Sequence, residues 1–378
     1  MKALLFERKV AKYAAAAAAG RLMPGKGAAV GPLRLADIDE PELPGSGWVR
    51  VRPRLSGICG SDLATIDGKS SRYFEPIVSF PFVPGHEVVG DTDDGHRVVL
   101  VPILTCAARS IEPMCDQCQV GRLNLCERVA FGHIEPGLQT GFCESTGGGW
   151  GISFVAHESQ LLDVPDDLTD EQAVLIEPAA CAVHAARAVG DGETAVIGAG
   201  TLGLLTIAAL RGRSVIATAK HPEQRRLASE LGADLVADPD ALPRYVRSRT
   251  GSWIIDDRLT GGLSNVVDCV GSEQSLQQGL DVCAPGGTVH VVGMPARTTL
   301  DLTGLWHREL KLRGCYAYTP EDFADALDLV RSADLGRLVS ATYPLARYRD
   351  AIEHAANAGS RGAVKIAFDL RNERERNR

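Results

Sequence analysis

The sequence predicts an α/β protein, a doubly wound parallel sheet preceded by a β-rich domain. Three observations carry this. From about residue 170, stretches of helical spacing alternate with short apolar runs, the rhythm of βαβ units and a parallel sheet. The turn Gly198-Ala-Gly200-Thr201-Leu202-Gly203 ends one such run and opens a helical stretch. Before residue 165, short apolar or alternating segments are separated by the Gly/Pro clusters Pro41–Gly47 and Phe80–Gly85, as in a β-rich domain.

In order along the chain, the elements are as follows. Met1–Phe6 alternates like a first strand, and the alanine run behind it predicts a loop or short helix. Trp48–Arg52 and Val98–Val101 read as strands. Leu168–Val189 has helical spacing. Strands are then expected at Ala195–Ile197, Val215–Thr218, Val266–Val270 and Thr288–Gly293, alternating with helices at Leu202–Arg211, Pro222–Leu231 and Gln274–Cys283. Helices at Glu321–Ser332 and near Ala346–Ala358 precede a last strand, Ala363–Asp369. The tail Arg371–Arg378 is charged and expected to fray. The polar stretch Thr250–Leu263 is long for a connection inside such a unit and has no assigned role.

Composition bounds the function. A chain of 378 residues suggests two domains at roughly 150 residues each. Hydrophobic content of 45% and charged content of 23% are those of a globular protein with ample core. A net charge of -8 argues against a nucleic-acid binder, which needs clustered Lys and Arg. No run approaches the roughly 18 apolar residues of a membrane span. The N-terminus lacks the apolar core and cleavage site of a secretory signal, so a cytoplasmic location is expected. Ten cysteines in such a chain suggest metal ligation rather than a disulfide framework.

Two metal sites are expected. Cys115-x2-Cys118-x7-Cys126 follows Cys106 after eight intervening residues, and four thiolates in so short a loop-rich segment suit a closed tetrahedral structural Zn²⁺. A second, dispersed set comprises Gly57-Ile-Cys59-Gly-Ser61-Asp62, Pro84-Gly-His86-Glu87 and Ile176-Glu177-Pro178. Cys59, His86 and Glu177 would give three ligands and an open position, the pattern of a catalytic zinc. The other five cysteines, Cys143, Cys181, Cys269, Cys283 and Cys315, read as small buried hydrophobes.

The glycine turn suits a dinucleotide. Gly198 permits the tight turn, Gly200 lets the backbone approach a pyrophosphate, and Gly203 lets helix and strand pack closely. Thr201 and Leu202 open the helix, whose N-terminal amides attract the phosphates. About 20 residues beyond the first glycine, an acidic side chain would select NAD. The residue there is Ala219, followed by Lys220, His221, Arg225 and Arg226. With no carboxylate and several cations, NADP is expected over NAD.

Taken together, GICGSD, PGHEVVG, the four-cysteine lobe, IEP, VIGAGTLG, DCVGS, PGGTVHVVG and GAVKIAF, in this order, resemble the zinc-dependent medium-chain dehydrogenase/reductase superfamily, the alcohol and polyol dehydrogenases. The resemblance covers essentially the whole chain. It implies a GroES-like catalytic domain at 1–178 with a structural-zinc lobe near 104–128, a Rossmann domain at 179–315, and a segment 316–378 returning to the catalytic domain, with the active site between the two. It implies catalytic zinc on Cys59 and His86, with Glu177 where polyol dehydrogenases carry Glu, and Glu87 as an adjacent carboxylate that in some members also reaches the metal. It also implies that Val270, Gly271, Val292 and Gly293 line the cofactor, that the substrate is a small alcohol or carbonyl compound, and that the chain forms a homo-oligomer, a dimer or tetramer.

Three departures stand out. The first cysteine gap is eight residues where the family usually has two. The proton-relay histidine of many members is replaced in Leu63-Ala64-Thr65. The insertion Tyr13–Leu33 has no evident counterpart. The expected reaction is reversible alcohol oxidation, with Ser61 accepting the substrate proton and Asp62 orienting His86. The alternatives are a zinc-free quinone or enoyl reductase and a non-catalytic cofactor-binding protein of the same fold.

Overall fold

The computed structural model describes residues 1–256 and 258–372. By its internal contacts the chain forms two compact units, Met1–Glu177 with Asp334–Arg378, and Pro178–Ala333.

In the second unit, among the described residues, six parallel strands form one sheet. Their spatial order is Leu235–Ala237, Val215–Thr218, Thr194–Ile197, Leu263–Asp268, Cys283–Val291 and Lys311–Gly314. Numbered along the chain this is 3-2-1-4-5-6, the doubly wound order. The direction of winding reverses between Thr194–Ile197 and Leu263–Asp268, and the crevice at the carboxyl ends there is where such sheets take ligands. All four residues of Thr194–Ile197 are buried, because helices cover both faces of a parallel sheet. The Val/Ile/Leu core of Ile197, Ile216, Val266, Leu280 and Val289 follows from that.

Two strands of this sheet escape the sequence reading, Leu235–Ala237 and Lys311–Gly314. They are the two edges of the sheet. The first has three residues and the second is exposed throughout, so neither carries the apolar run that marks a central strand.

The first unit is β-rich. A mixed sheet runs Val339–Tyr343, Lys365–Asp369, Trp48–Gly57, Val88–Thr92, Arg97–Leu100 and Leu161–Asp163, with Phe154–His157 also pairing with Trp48–Gly57. The strand Lys365–Asp369 lies antiparallel to the end of Trp48–Gly57, Ala367 opposite Gly57. Lys2–Phe6 pairs separately with Leu33–Asp37.

The segment expected to return to the first unit from 316 divides. Helix Pro320–Ser332 stays with the second unit, because its buried Asp322 accepts from His184 Nδ1 at 2.8 Å and Arg187 Nη1 at 2.9 Å. The return begins at Asp334. The alanine run is a 13-residue helix, Val10–Leu22, rather than a loop or a short helix. It and the turn behind it are anchored by buried Asp67, whose carboxylate accepts from Gly25 N at 2.9 Å and Gly27 N at 3.1 Å. Arg371, placed by sequence in a frayed tail, pairs with Asp369 at 2.8 Å and Asp170 at 3.4 Å. The remainder of that tail, 373–378, lies outside the described residues.

Candidate functional site

Helix Gly60–Ile66 begins where the long strand Trp48–Gly57 ends, and Cys59 precedes its first turn. Asp62 closes that turn, its Oδ2 accepting from Cys59 N at 3.0 Å. The other carboxylate oxygen, Oδ1, faces His86 Nδ1 at 3.5 Å, both side chains being buried. Burial opposes a charge on His86, but Asp62 and Cys59 beside it outweigh burial and push its pKa well above 6.5. His86 and Glu87 arrive from the approach to strand Val88–Thr92, which pairs with Trp48–Gly57, Val88 opposite Ser56.

This pairing brings one ligand atom each of Cys59, His86 and Glu87 to within 4.8 Å of one another. A thiol, an imidazole and a carboxylate converging in a buried place are the donor set of a zinc site. Glu177, at the start of helix Ile176–Ala188, is outside that trio. It is buried and close enough for its charge to act on Lys365.

Lys365 is one residue that sequence reasoning missed. It is 2% exposed, donates to Ile58 O at 3.1 Å and pairs with Glu87 Oε2. The pair explains a glycine of the GICGSD segment: a Cβ on Gly57 would lie 2.0 Å from Glu87 Oε2 and 2.8 Å from Lys365 Cε. The available signal was a lone lysine in the otherwise apolar run Ala363–Phe368.

On the same helix, Thr65 Oγ1 donates to Ser61 O at 2.9 Å and shares a hydrogen bond with Ser70 Oγ at 2.9 Å. The Thr65 hydroxyl is thereby committed to the helix backbone. Ser61 is partly exposed in the first turn, two residues after Cys59.

The sulfurs of Cys106, Cys115, Cys118 and Cys126 also lie within 4.8 Å of one another, all buried. The long first gap therefore does not remove Cys106, which approaches Cys126 Sγ at 3.8 Å and accepts from Cys115 N at 3.4 Å. Desolvation pushes Cys126 up to about 11, while backbone N–H groups at Glu127 and Cys118, working against burial, draw Cys115 down to about 7. Four thiolates can share so small a volume only around a divalent cation, so the donor set fits zinc. The extra length of the gap holds Arg109, fully buried, whose guanidinium donates to the carbonyls of Leu104, Phe131, Ile134, Glu135 and Gly137. Among the described residues none of the ten cysteines forms a disulfide; Cys143, Cys283 and Cys315 are buried, but Cys181 and Cys269 are only partly so.

In the second unit, the glycine turn joins Thr194–Ile197 to helix Thr201–Ala209. Gly198 has φ +89, and its N–H donates to Thr218 Oγ1 at 3.0 Å. A Cβ on Gly203 would lie 1.7 Å from Gly198 O, whereas one on Gly200 would meet nothing within 4 Å among the described residues beyond its chain neighbours. The fold's own packing thus demands Gly203 and leaves Gly200 for other reasons. The side chain of Val270 rests against Gly198. Buried Asp268 ties this edge together: its carboxylate accepts from Val270 N at 2.9 Å, Gly271 N at 3.2 Å and Ser275 Oγ at 3.0 Å. Its carbonyl accepts from Val292 N and Gly293 N, each at 2.9 Å. The four residues expected beside the cofactor are therefore held by one aspartate, which the sequence reading did not single out.

At the expected ribose end, Ala219 is buried and Lys220 exposed. The two arginines carry counter-charges: Arg225 pairs with Asp238, and Arg226 with Glu223 and Glu230.

Residues 45–166 match the alcohol dehydrogenase GroES-like domain and residues 200–332 the zinc-binding dehydrogenase domain. A probable D-xylulose reductase A of Arthroderma otae is 30% identical over 323 residues, covering 80% of this chain and 85% of that protein. L-idonate 5-dehydrogenase of Vitis vinifera is 28% identical over 348 residues, covering 85% and 88%. A putative zinc-binding dehydrogenase of Sinorhizobium meliloti, solved bound to NADP, is 26% identical with a TM-score of 0.69, covering 89% of this chain and 95% of that one. 2R,3R-butanediol dehydrogenase of Bacillus subtilis, at 23% identity, shares the fold with a TM-score of 0.70 over 97% and 99% of the two chains. The chain belongs to the zinc-dependent medium-chain dehydrogenase/reductase superfamily and is an oxidoreductase acting on alcohols or the corresponding carbonyl compounds.

Proposed function

We propose that the protein oxidises a polyol or sugar alcohol reversibly with NADP, at a zinc held by Cys59, His86 and Glu87, with Glu177 as the further carboxylate available to it. The observation that carries this is the convergence of the Cys59, His86 and Glu87 ligand atoms within 4.8 Å at the start of a helix that also presents Ser61. When bound, zinc supplies a Lewis acid for the substrate oxygen, and NADP supplies the hydride acceptor.

The protein's own residues do the rest. Lys365 holds Glu87 Oε2 and leaves Oε1 as the oxygen Glu87 offers a metal. Asp62 faces Nδ1 of His86 and so fixes the ring with Nε2 turned the other way. Ser61 Oγ accepts the substrate's hydroxyl proton as its own hydroxyl proton passes towards solvent or the ribose hydroxyls, because Thr65, in the stretch where many relatives carry histidine, has its hydroxyl committed to Ser61 O. Cys106, Cys115, Cys118 and Cys126 hold a second, structural zinc, which requires reduced thiols and so a reducing, cytoplasmic setting.

The polyol reading rests on relatives, a xylulose reductase and an idonate dehydrogenase among them. The NADP reading rests on the absence of an acidic residue at Ala219 and on the cations that follow. Self-association is supported by the edge strand Lys311–Gly314, exposed at all four residues, which leaves backbone groups open to another strand; light scattering reads the oligomer size.

The test is a panel of polyols, sugars, and aliphatic and aromatic alcohols with NADP and with NAD, followed at the nicotinamide absorbance before and after chelation. Polyol-dependent NADP reduction abolished by chelation is expected. Full activity in Cys59→Ser, or after removal of all zinc, overturns the mechanism and favours a zinc-free reductase.

A further inference from the structure

The strand Val215–Thr218 leads into helix Pro222–Leu231 through Ala219, Lys220 and His221. Its neighbour Leu235–Ala237 runs parallel, Ala237 opposite Thr218, and Ala219 N donates to Ala237 O at 3.0 Å. The next residue of that outer strand, Asp238, therefore emerges beside Ala219 and Lys220. Arg225 reaches back from the first turn of the helix: its Nη2 pairs with Asp238 Oδ1 and lies 3.5 Å from Lys220 O. Its Nε is buried without a hydrogen-bond partner. Asp238 precedes the short turn Pro239–Ala241, yet its carboxylate makes no capping bond there. Its placement is accounted for by Arg225 and not by the turn.

We propose that Asp238 sets the dinucleotide preference by competing with the 2′-phosphate of NADP for Arg225. This rests on the reading that the Gly198 turn binds a dinucleotide whose adenosine ribose lies at Ala219–His221. A 2′-phosphate needs a cation and finds Arg225 already paired. Taking Arg225 leaves the Asp238 carboxylate unpaired beside a like charge. The 2′-hydroxyl of NAD makes neither demand. Asp238 thus weakens NADP and leaves NAD alone, so the chain's cations give a smaller preference than their number suggests. The effect is that of one exposed charge pair, about fivefold in Kd at low salt, and it shrinks as ionic strength rises.

The experiment measures Kd for NADPH and NADH on the full-length zinc-loaded protein by quenching of tryptophan fluorescence. The proteins compared are the wild type, Asp238→Asn, Arg225→Gln and the double variant, with Asp238→Ser as a second removal of the charge. Melting temperatures verify folding. Asp238→Asn and Asp238→Ser are expected to tighten NADPH about fivefold and leave NADH unchanged. The gain should shrink in the Arg225→Gln background and at high salt. If the wild type binds NADH more tightly but Asp238→Asn still tightens NADPH selectively, the NADP reading falls and the role of Asp238 stands. If both charge removals leave NADPH binding unchanged, or tighten the two dinucleotides equally, the role of Asp238 is overturned whichever dinucleotide the wild type prefers.

Discussion

Lys365 and Glu87 form a buried ion pair, 3% and 2% exposed at their side chains, between the last strand of the first unit and the approach to Val88–Thr92. A charge in that position is tolerable only with its partner. Lys365→Met is therefore expected to cost about 3–5 kcal/mol in urea unfolding, with Lys365→Met/Glu87→Gln costing clearly less than the sum of the single changes. Additive effects would show that the two charges act independently.

The two thiol-bearing sites should separate under mutation. Metal analysis of the wild type is expected to give about two zinc ions per chain, and each of Cys106→Ser and Cys59→Ser about one. Cys106→Ser should also lower Tm by several degrees, since a closed site contributes directly to folding. Cys59→Ser should abolish turnover with little change in Tm. A wild-type content of about one zinc, unaffected by Cys106→Ser, contradicts the four-cysteine assignment.

His290 gives the pH dependence. Burial, aided by Arg313, holds its pKa down at about 4, against 6.5 for the free side chain. The unfolded chain therefore binds a proton between those values that the folded chain does not. Stability is complete above about pH 6.5, falls as pH drops towards 4, and is flat below for this group. With partial solvent screening, the loss is on the order of 2 kcal/mol. His290→Asn should flatten this part of the stability profile, and an unchanged slope would assign it to other groups.

Asp67 anchors the N-terminal insertion through two backbone N–H groups. Asp67→Ala leaves both without their acceptor and is expected to cost about 2–3 kcal/mol. Hydrogen exchange at Gly25 and Gly27 should speed up well ahead of exchange in the strand Trp48–Gly57. Equal acceleration in both places would mean that the insertion is not a separate unit of stability.

Much of this was legible in the sequence because it rests on local pattern. Val215–Thr218 and Pro222–Leu231 lie where the apolar run and the proline at the helix start placed them. Gly198 to Gly203 needed only a strand before and a helix after. The four cysteines lie within one segment, so spacing alone grouped them. Lys365, by contrast, meets Glu87 only because strands far apart in the chain pair. Asp268 looks in sequence like one more residue at a strand end. The cations at 220–226 were visible, and the counter-charges of Arg226, Glu223 and Glu230, share its helix; the counter-charge of Arg225 was not, because Asp238 reaches it only through the neighbouring strand.

The pairing of Trp48–Gly57 with Lys365–Asp369 has a consequence for biosynthesis. Every residue of the second unit has been translated once Ala333 is added, so that unit can begin to fold while later residues are still being made. The first unit cannot finish then, since Lys365 is still untranslated. Cys59, His86 and Glu87 thus exist on the nascent chain long before the lysine that neutralises Glu87. Until that strand docks, Glu87 stays solvated rather than buried, and the order of synthesis makes completion of this site one of the last events in folding.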